Sequence, residues 1–257
     1  VSFITFIAII GVTLGVASLD ITLAILGGFE KTIKENVVSF TAHMQLFAFE
    51  NDLLPDPSLT IQKVIARFPE VLEMAPYLSR EGMIRSKSDI DGVLIKGVDP
   101  TNDISAAKRR LVEGVYDLEE RETGAQRVIL GRRLSEKLNV RLNDHVLMYA
   151  LGGTSLSLAH TRIMQFEVSG IYETGMADYD GSVIYVNLRN AQRLCQVGKT
   201  VSGFDILVSN TDSLASLAQQ IPEYLGYPYY ARTMFQQYRN LFAWVDLQRI
   251  PVLIILA

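Results

Sequence analysis

The sequence predicts an α+β domain set between two hydrophobic segments, the first long enough to cross a membrane. Three observations carry this. Of 24 basic and 28 acidic residues, only Asp20 falls within 1–29 and none within 250–257. Between those ends the charge density is ordinary for a water-exposed domain. There, short apolar runs bounded by Gly, Pro and Asp alternate with segments of helical periodicity.

A spanning helix needs about 20 predominantly apolar residues. Residues 1–19 carry no charge, and with Asp20 tolerated the run extends through Leu26, so residues 1–28 read as a transmembrane helix. Two other readings compete: a helix buried in a soluble core, and a cleaved signal peptide cut at Gly15-Val16-Ala17. Against cleavage, no basic residue precedes the run, and the run continues past the cut. The chain begins at Val1, which suggests a piece of a longer protein whose cytosolic start is missing. Gly11 and Gly15 form a G-x-x-x-G pair, whose bare surface lets another helix approach closely.

After Gly27-Gly28, a candidate kink point, Phe29, Ile33, Val37 and Phe40 recur at helical spacing, opposite Glu30, Lys31, Lys34 and Glu35. This predicts an amphipathic helix continuing into water. A strand follows at 43–50. Pro57-Ser58 opens a helix that ends before Pro69. Residues 71–86 and 93–98 form a hairpin about a turn at 88–92. Strands are expected at 126–130, 146–151, 163–172, 182–186, 204–208 and 227–231. Helices are expected at 132–138, 189–196 and 212–225, the last capped by Asp212. Thr233 then caps a final helix carrying Phe235, Tyr238, Phe242 and Val245. Residues 250–257 read as the start of a second transmembrane helix.

The strands crowd into 126–187, so this stretch reads as a β-rich subdomain inserted into an α/β subdomain formed by 29–125 and 188–249. The whole of 29–249 is then one extramembrane domain.

Chemistry is sparse. A net charge of −4 without a Lys/Arg block argues against nucleic acid as a partner. A single cysteine, Cys195, excludes an internal disulfide framework and a cysteine zinc cage. Gly198-Lys199-Thr200 ends like a phosphate-binding loop, but Arg193 occupies the required glycine position and the preceding segment reads as helix. Asp178, Asp180 and Gly181 resemble part of a calcium loop, but Met176 stands at the first ligand position. A turn is the better reading. His43, His145 and His160 lack metal-ligand spacing. No catalytic residue, metal ligand or cofactor is expected.

Several motifs in order carry a family resemblance. Gly11-Val12-Thr13-Leu14-Gly15-Val16-Ala17 is followed by Gly28-Phe29-Glu30 and the amphipathic run. Then come Gly97-Val98-Asp99-Pro100, Ile129-Leu130-Gly131-Arg132-Arg133-Leu134 leading to Leu142-Asn143-Asp144-His145-Val146, Phe166-Glu167-Val168-Ser169-Gly170-Ile171, and Ile184-Tyr185-Val186 with Ala191-Gln192-Arg193-Leu194. The chain resembles the lipoprotein-releasing ABC permeases of the LolC/LolE type, grouped with MacB and FtsX in a wider superfamily. The resemblance implies a MacB-like periplasmic domain between membrane helices one and two, in the bacterial inner membrane. It implies as partners an ATPase subunit that hydrolyses the ATP, a second permease subunit, membrane lipid, a lipoprotein substrate and a periplasmic carrier. Family members capture the carrier with a proline-bearing hairpin. The corresponding stretch here, 152–162, has no proline, so no carrier-binding residue is assigned. Asp20 is a second departure, in a segment that is usually apolar.

The resemblance also leaves open a MacB-like efflux or mechanotransmission permease and an FtsX-like regulator of cell-wall hydrolases. The expected site is a lipid-compatible path lined by Phe29, Ile33, Val37 and Phe40 on the first helix and by Tyr238, Phe242 and Val245 on the last. Gly11 and Gly15 would allow close helix packing below it.

Overall fold

A computed structural model of the chain describes residues 3–40, 42–49, 53–55, 57–150, 162–237 and 239. The chain divides into two units, residues 1–39 with 235–257, and residues 40–234.

The first unit is built on α1, a single α-helix over Phe3–Phe40. It runs through Gly27-Gly28 without interruption, so the expected extension beyond the apolar segment is helical in backbone. Within it Thr5–Gly28 is long and apolar enough to cross a membrane, and none of it is buried in the chain. Phe6, Ile10, Leu14, Ile21 and Ile25 are all exposed. The side chains of Phe29, Ile33, Val37 and Phe40, all of Tyr238, Phe242 and Val245, and residues 250–257 lie outside the described residues.

The second unit is sheet-based. Its elements in chain order are β1 (Met44–Ala48), α2 (Pro57–Arg67), β2 (Val71–Arg85), β3 (Ile90–Val98), α3 (Ala106–Arg109) and β4 (Leu111–Gly114). Then follow β5 (Gln126–Gly131), α4 (Arg132–Lys137), β6 (His145–Ala150), β7 (Ile163–Tyr172), α5 (Ala177–Ser182) and β8 (Val183–Asn187). The unit closes with α6 (Leu188–Cys195), β9 (Gly203–Val208), α7 (Leu214–Leu225) and β10 (Tyr229–Thr233), and α8 (Met234–Gln237) begins at its last residue.

Two of these strands change partners along their length, and this gives the fold its shape. The first half of β2, Val71–Tyr77, pairs antiparallel with β9, which continues through β1 to β10 as an antiparallel sheet. The second half, Gly82–Arg85, pairs with β6 instead. On its other edge β2 pairs with β3, β3 with β8, β8 with β5, β5 with β7, and β7 with β6. The six strands β2-β3-β8-β5-β7-β6 therefore form a closed barrel. The strand β7 repeats the exchange, pairing with β6 at 163–167 and with β4 at 170–172.

The barrel interior is a packed core. Each strand contributes buried residues two apart: Val93 and Ile95, Val128 and Leu130, Val146 and Met148, Phe166 and Val168, Ile184 and Val186, with Leu78 and Ile84 from β2. That spacing places them on one face of each strand. Leu134 of α4, Leu138 at its C-cap, and Ala191, Leu194 and Cys195 of α6 join the cluster. A small barrel filled by side chains encloses no channel. The opposite face of the same strands packs a second cluster of Val98, Ile129, Tyr172, Val183 and Tyr185 with Ala107 and Leu118.

Several details differ from the sequence expectation. The turn of the first hairpin sits at 86–89, where Ser86 N–H donates to the Asp89 carbonyl and Ser86 Oγ accepts from Ser88 and Asp89 N–H. Asp212 is not the cap of α7. Asn210 caps a 3-10 turn at 211–213 by accepting from the Asp212 N–H. Residues 177–182 are a short helix where a turn was expected.

Candidate functional site

The apolar segment of α1 presents Gly11 and Gly15 on one exposed face, and a Cβ at either would touch nothing. The hydroxyls of that segment are satisfied within the helix: Thr13 Oγ1 donates to the Ile9 carbonyl and Thr22 Oγ1 to the Ser18 carbonyl, both at 2.8 Å.

The second unit receives and releases the chain at one rung of its sheet. Met44 at the start of β1 is the register partner of Thr233 at the end of β10. Met234 N–H donates to the His43 carbonyl at 3.0 Å, and Val208 N–H donates to His43 Nδ1. Burial lowers the His43 pKa.

Between this sheet and the barrel runs a buried polar seam. Asp205 on β9 accepts from Gln45 Nε2 at 2.8 Å and from Lys96 Nζ on β3 at 2.6 Å. The Lys96 ammonium lies 4.8 Å from the Tyr77 ring centroid, over its face. Burial works against the ammonium charge, but Asp205, Tyr179 and Tyr77 together hold the Lys96 pKa above its ordinary value. Across the barrel wall Lys96 is in register with Tyr185, whose hydroxyl bonds that of Tyr179. Tyr172 stacks edge-on to Tyr185 and donates to the Val183 carbonyl. Asp205, Lys96 and the tyrosines tie the sheet to the barrel. Sequence reading missed this seam, because Lys96 and Asp205 lie far apart in the chain and neither stands in a motif.

The motif residues prove to be packing residues. A Cβ on Gly97 would lie 2.4 Å from the Ala191 Cβ, so this glycine lets α6 press on β3. A Cβ on Gly131 would lie 2.2 Å from the Asp180 carbonyl oxygen. The Asp180 carboxylate, in the stretch that resembles part of a calcium loop, is buried and accepts from Thr174 N–H, Thr174 Oγ1 and Gly175 N–H. No group of three or more metal-binding side chains occurs among the described residues. Lys199 and Thr200 lie in a turn from helix α6 to strand β9, the reverse of the strand-loop-helix order of a phosphate loop. Thr200 Oγ1 donates to the Val197 carbonyl there. Burial pushes the Cys195 thiol up to about 11, away from the reactive thiolate form. Residues 151–161, between β6 and β7 in sequence, lie outside the described residues, and the carrier question falls on them.

An apolar helix long enough to cross a membrane precedes a mixed α/β domain, and the chain belongs to the MacB-like periplasmic core domain family, which it matches over residues 5–224. Among its relatives is the lipoprotein-releasing system transmembrane protein LolC of Neisseria meningitidis serogroup B, 26% identical over 261 residues, covering 99% of this chain and 61% of that protein. The corresponding LolE of Haemophilus influenzae is 23% identical over 154 residues, covering 58% and 36%. The periplasmic region of MacB from Actinobacillus actinomycetemcomitans is similar with a TM-score of 0.49 and 13% identity, covering 82% of this chain and 97% of that one. The chain spans about three-fifths of the length of the LolC relatives it matches.

Proposed function

We propose that this chain is part of a permease subunit of an ABC transporter that releases lipoproteins from the inner membrane to a periplasmic carrier. The observation that carries the reading is the match to LolC proteins across 99% of the chain, anchor helix included. In this reading α1 crosses the inner membrane and residues 29–249 stand in the periplasm. Residues 29–125 with 188–249 form the α/β subdomain, and 126–187 supply the inserted β-rich part. In the filled barrel, which offers no channel, 126–187 supply β5 to β8 and 71–98 supply β2 and β3. ATP is hydrolysed on a separate ATPase subunit, and a second permease subunit, alike or different, completes the pair.

A lipid-anchored substrate leaves the bilayer only along a surface that shields its acyl chains, whose burial is worth about 0.8 kcal/mol per CH₂. Phe29, Ile33, Val37 and Phe40, with Tyr238, Phe242 and Val245, supply that surface, and Gly11 and Gly15 let helices pack closely beneath it. Photocrosslinkers at positions 33, 37 and 40 of the active transporter are expected to capture a lipoprotein. Capture of none in an active complex overturns the path. Topology is tested separately. Ser58 is exposed on α2, so Ser58→Cys in a Cys195→Ala background reacts with an impermeant thiol reagent on intact spheroplasts. Labelling only after lysis overturns the periplasmic placement.

A further inference from the structure

The intramembrane segment of α1 holds one ionisable residue, Asp20, about 12 Å below its Gly28 end at 1.5 Å per residue. Asp20 is exposed and makes no ion pair or hydrogen bond among the described residues. Its polar neighbours differ: Thr13 and Thr22 donate their hydroxyl protons to carbonyls of their own helix. An ionised carboxylate only accepts, and every backbone N–H at mid-helix already bonds within the helix. Asp20 therefore finds its partner outside α1. An ionised group facing hydrocarbon is strongly disfavoured, so such residues turn toward protein and pair.

The surface around Asp20 suits a close neighbour. Ala17 and Ala24 lie one turn to either side, and Thr13 and Gly27 two turns away, all on its side of the helix. This is a different side from Gly11, Gly15, Ser18 and Thr22, so α1 has two faces of small residues. A second copy of α1 is a poor occupant of the Asp20 face, because it brings the same negative charge. The charge selects a cation.

We propose that Asp20 is the acceptor of an intramembrane ion pair whose donor is a lysine, arginine or histidine on a different membrane helix of the transporter. Ala17 and Ala24 let that helix approach. This rests on the permease reading, which supplies the other membrane helices.

The test uses the full-length protein in its native membrane. A photocrosslinking residue replaces Ala17 or Ala24, in turn. The expected adduct joins α1 to a membrane helix with Lys, Arg or His within one turn of the crosslinked site. Adducts to lipid alone, or to a helix without such a residue, overturn the proposal. Asp20→Lys is expected to lower the recovered complex about tenfold. Exchanging the mapped cation for aspartate in that background restores it. An Asp20→Leu protein that assembles at the parental level also overturns the pairing. If the pair is mapped while the parental complex releases no lipoprotein, the ion pair stands and the release reading falls.

Discussion

The anchor helix and the barrel are both rich in Val, Ile and Leu, yet they dispose of them in opposite ways. On α1 the apolar residues surround the helix and stay exposed, as Leu14 and Ile25 do. In the barrel they recur at every second position and vanish from solvent: Val128, Leu130, Ile184 and Val186 are all fully buried. One region buries its hydrophobic residues within the chain and the other leaves them exposed. Hydrophobic content therefore says little by itself; its period says where the partner is.

Substitutions sharpen this contrast, the largest effects coming from the barrel and its seam. Phe166→Ala removes a fully buried ring and should cost about 3–5 kcal/mol in denaturant unfolding of the detergent-solubilised protein. Lys96→Met strands the buried Asp205 carboxylate and should cost a similar amount, about 3–5 kcal/mol. If Lys96→Met instead leaves stability unchanged, the seam does not hold sheet to barrel. Gly97→Val forces α6 away from β3 and should cost about 1–3 kcal/mol, with its largest effect on hydrogen exchange of α6. A small pH effect is expected at His43. Its depressed pKa means the unfolded chain binds the proton more readily, so its contribution is complete above about pH 6.5 and is lost as pH falls through the folded value. Replacing His43 by Gln should flatten that part of the acid limb of the stability curve. Leu14→Ala on α1 should change the unfolding midpoint least, by about 0.5 kcal/mol or less. A large effect there would show that α1 packs as a core helix.

Much of the local structure was legible. Pro57 opened α2 as expected, and both strands of the first hairpin formed, since alternation and turn residues act over a few positions. The strand β4 was invisible because three of its four residues are exposed, and it exists only as a rung on β7. Helix α5 is hidden from sequence because Ala-Asp-Tyr-Asp-Gly-Ser has turn composition. Its conformation is held by the contacts of Asp180 with Thr174 and Gly175, on the preceding loop. Barrel closure was beyond reach for a different reason. Nothing in 71–85 announces that β2 exchanges β9 for β6, and the nearest signal is Gly82, where a Cβ would strike the Tyr149 carbonyl oxygen of β6. At the site, the sequence identified the Gly11/Gly15 pair of α1, and among the described residues nothing covers it.

The rung that joins Met44 to Thr233 has a mechanical consequence. The chain arrives on β1 and departs from β10 at the same end of one antiparallel ladder. A load that draws those two attachment points apart falls on a single rung at a time, beginning with Met44–Thr233, and peels the ladder open like a zipper. A load that moves them together meets no such weak point and carries the whole sheet, and through the Lys96–Asp205 seam the barrel, as one lever arm. The domain is thus compliant to separation of its two attachments and stiff to their common motion.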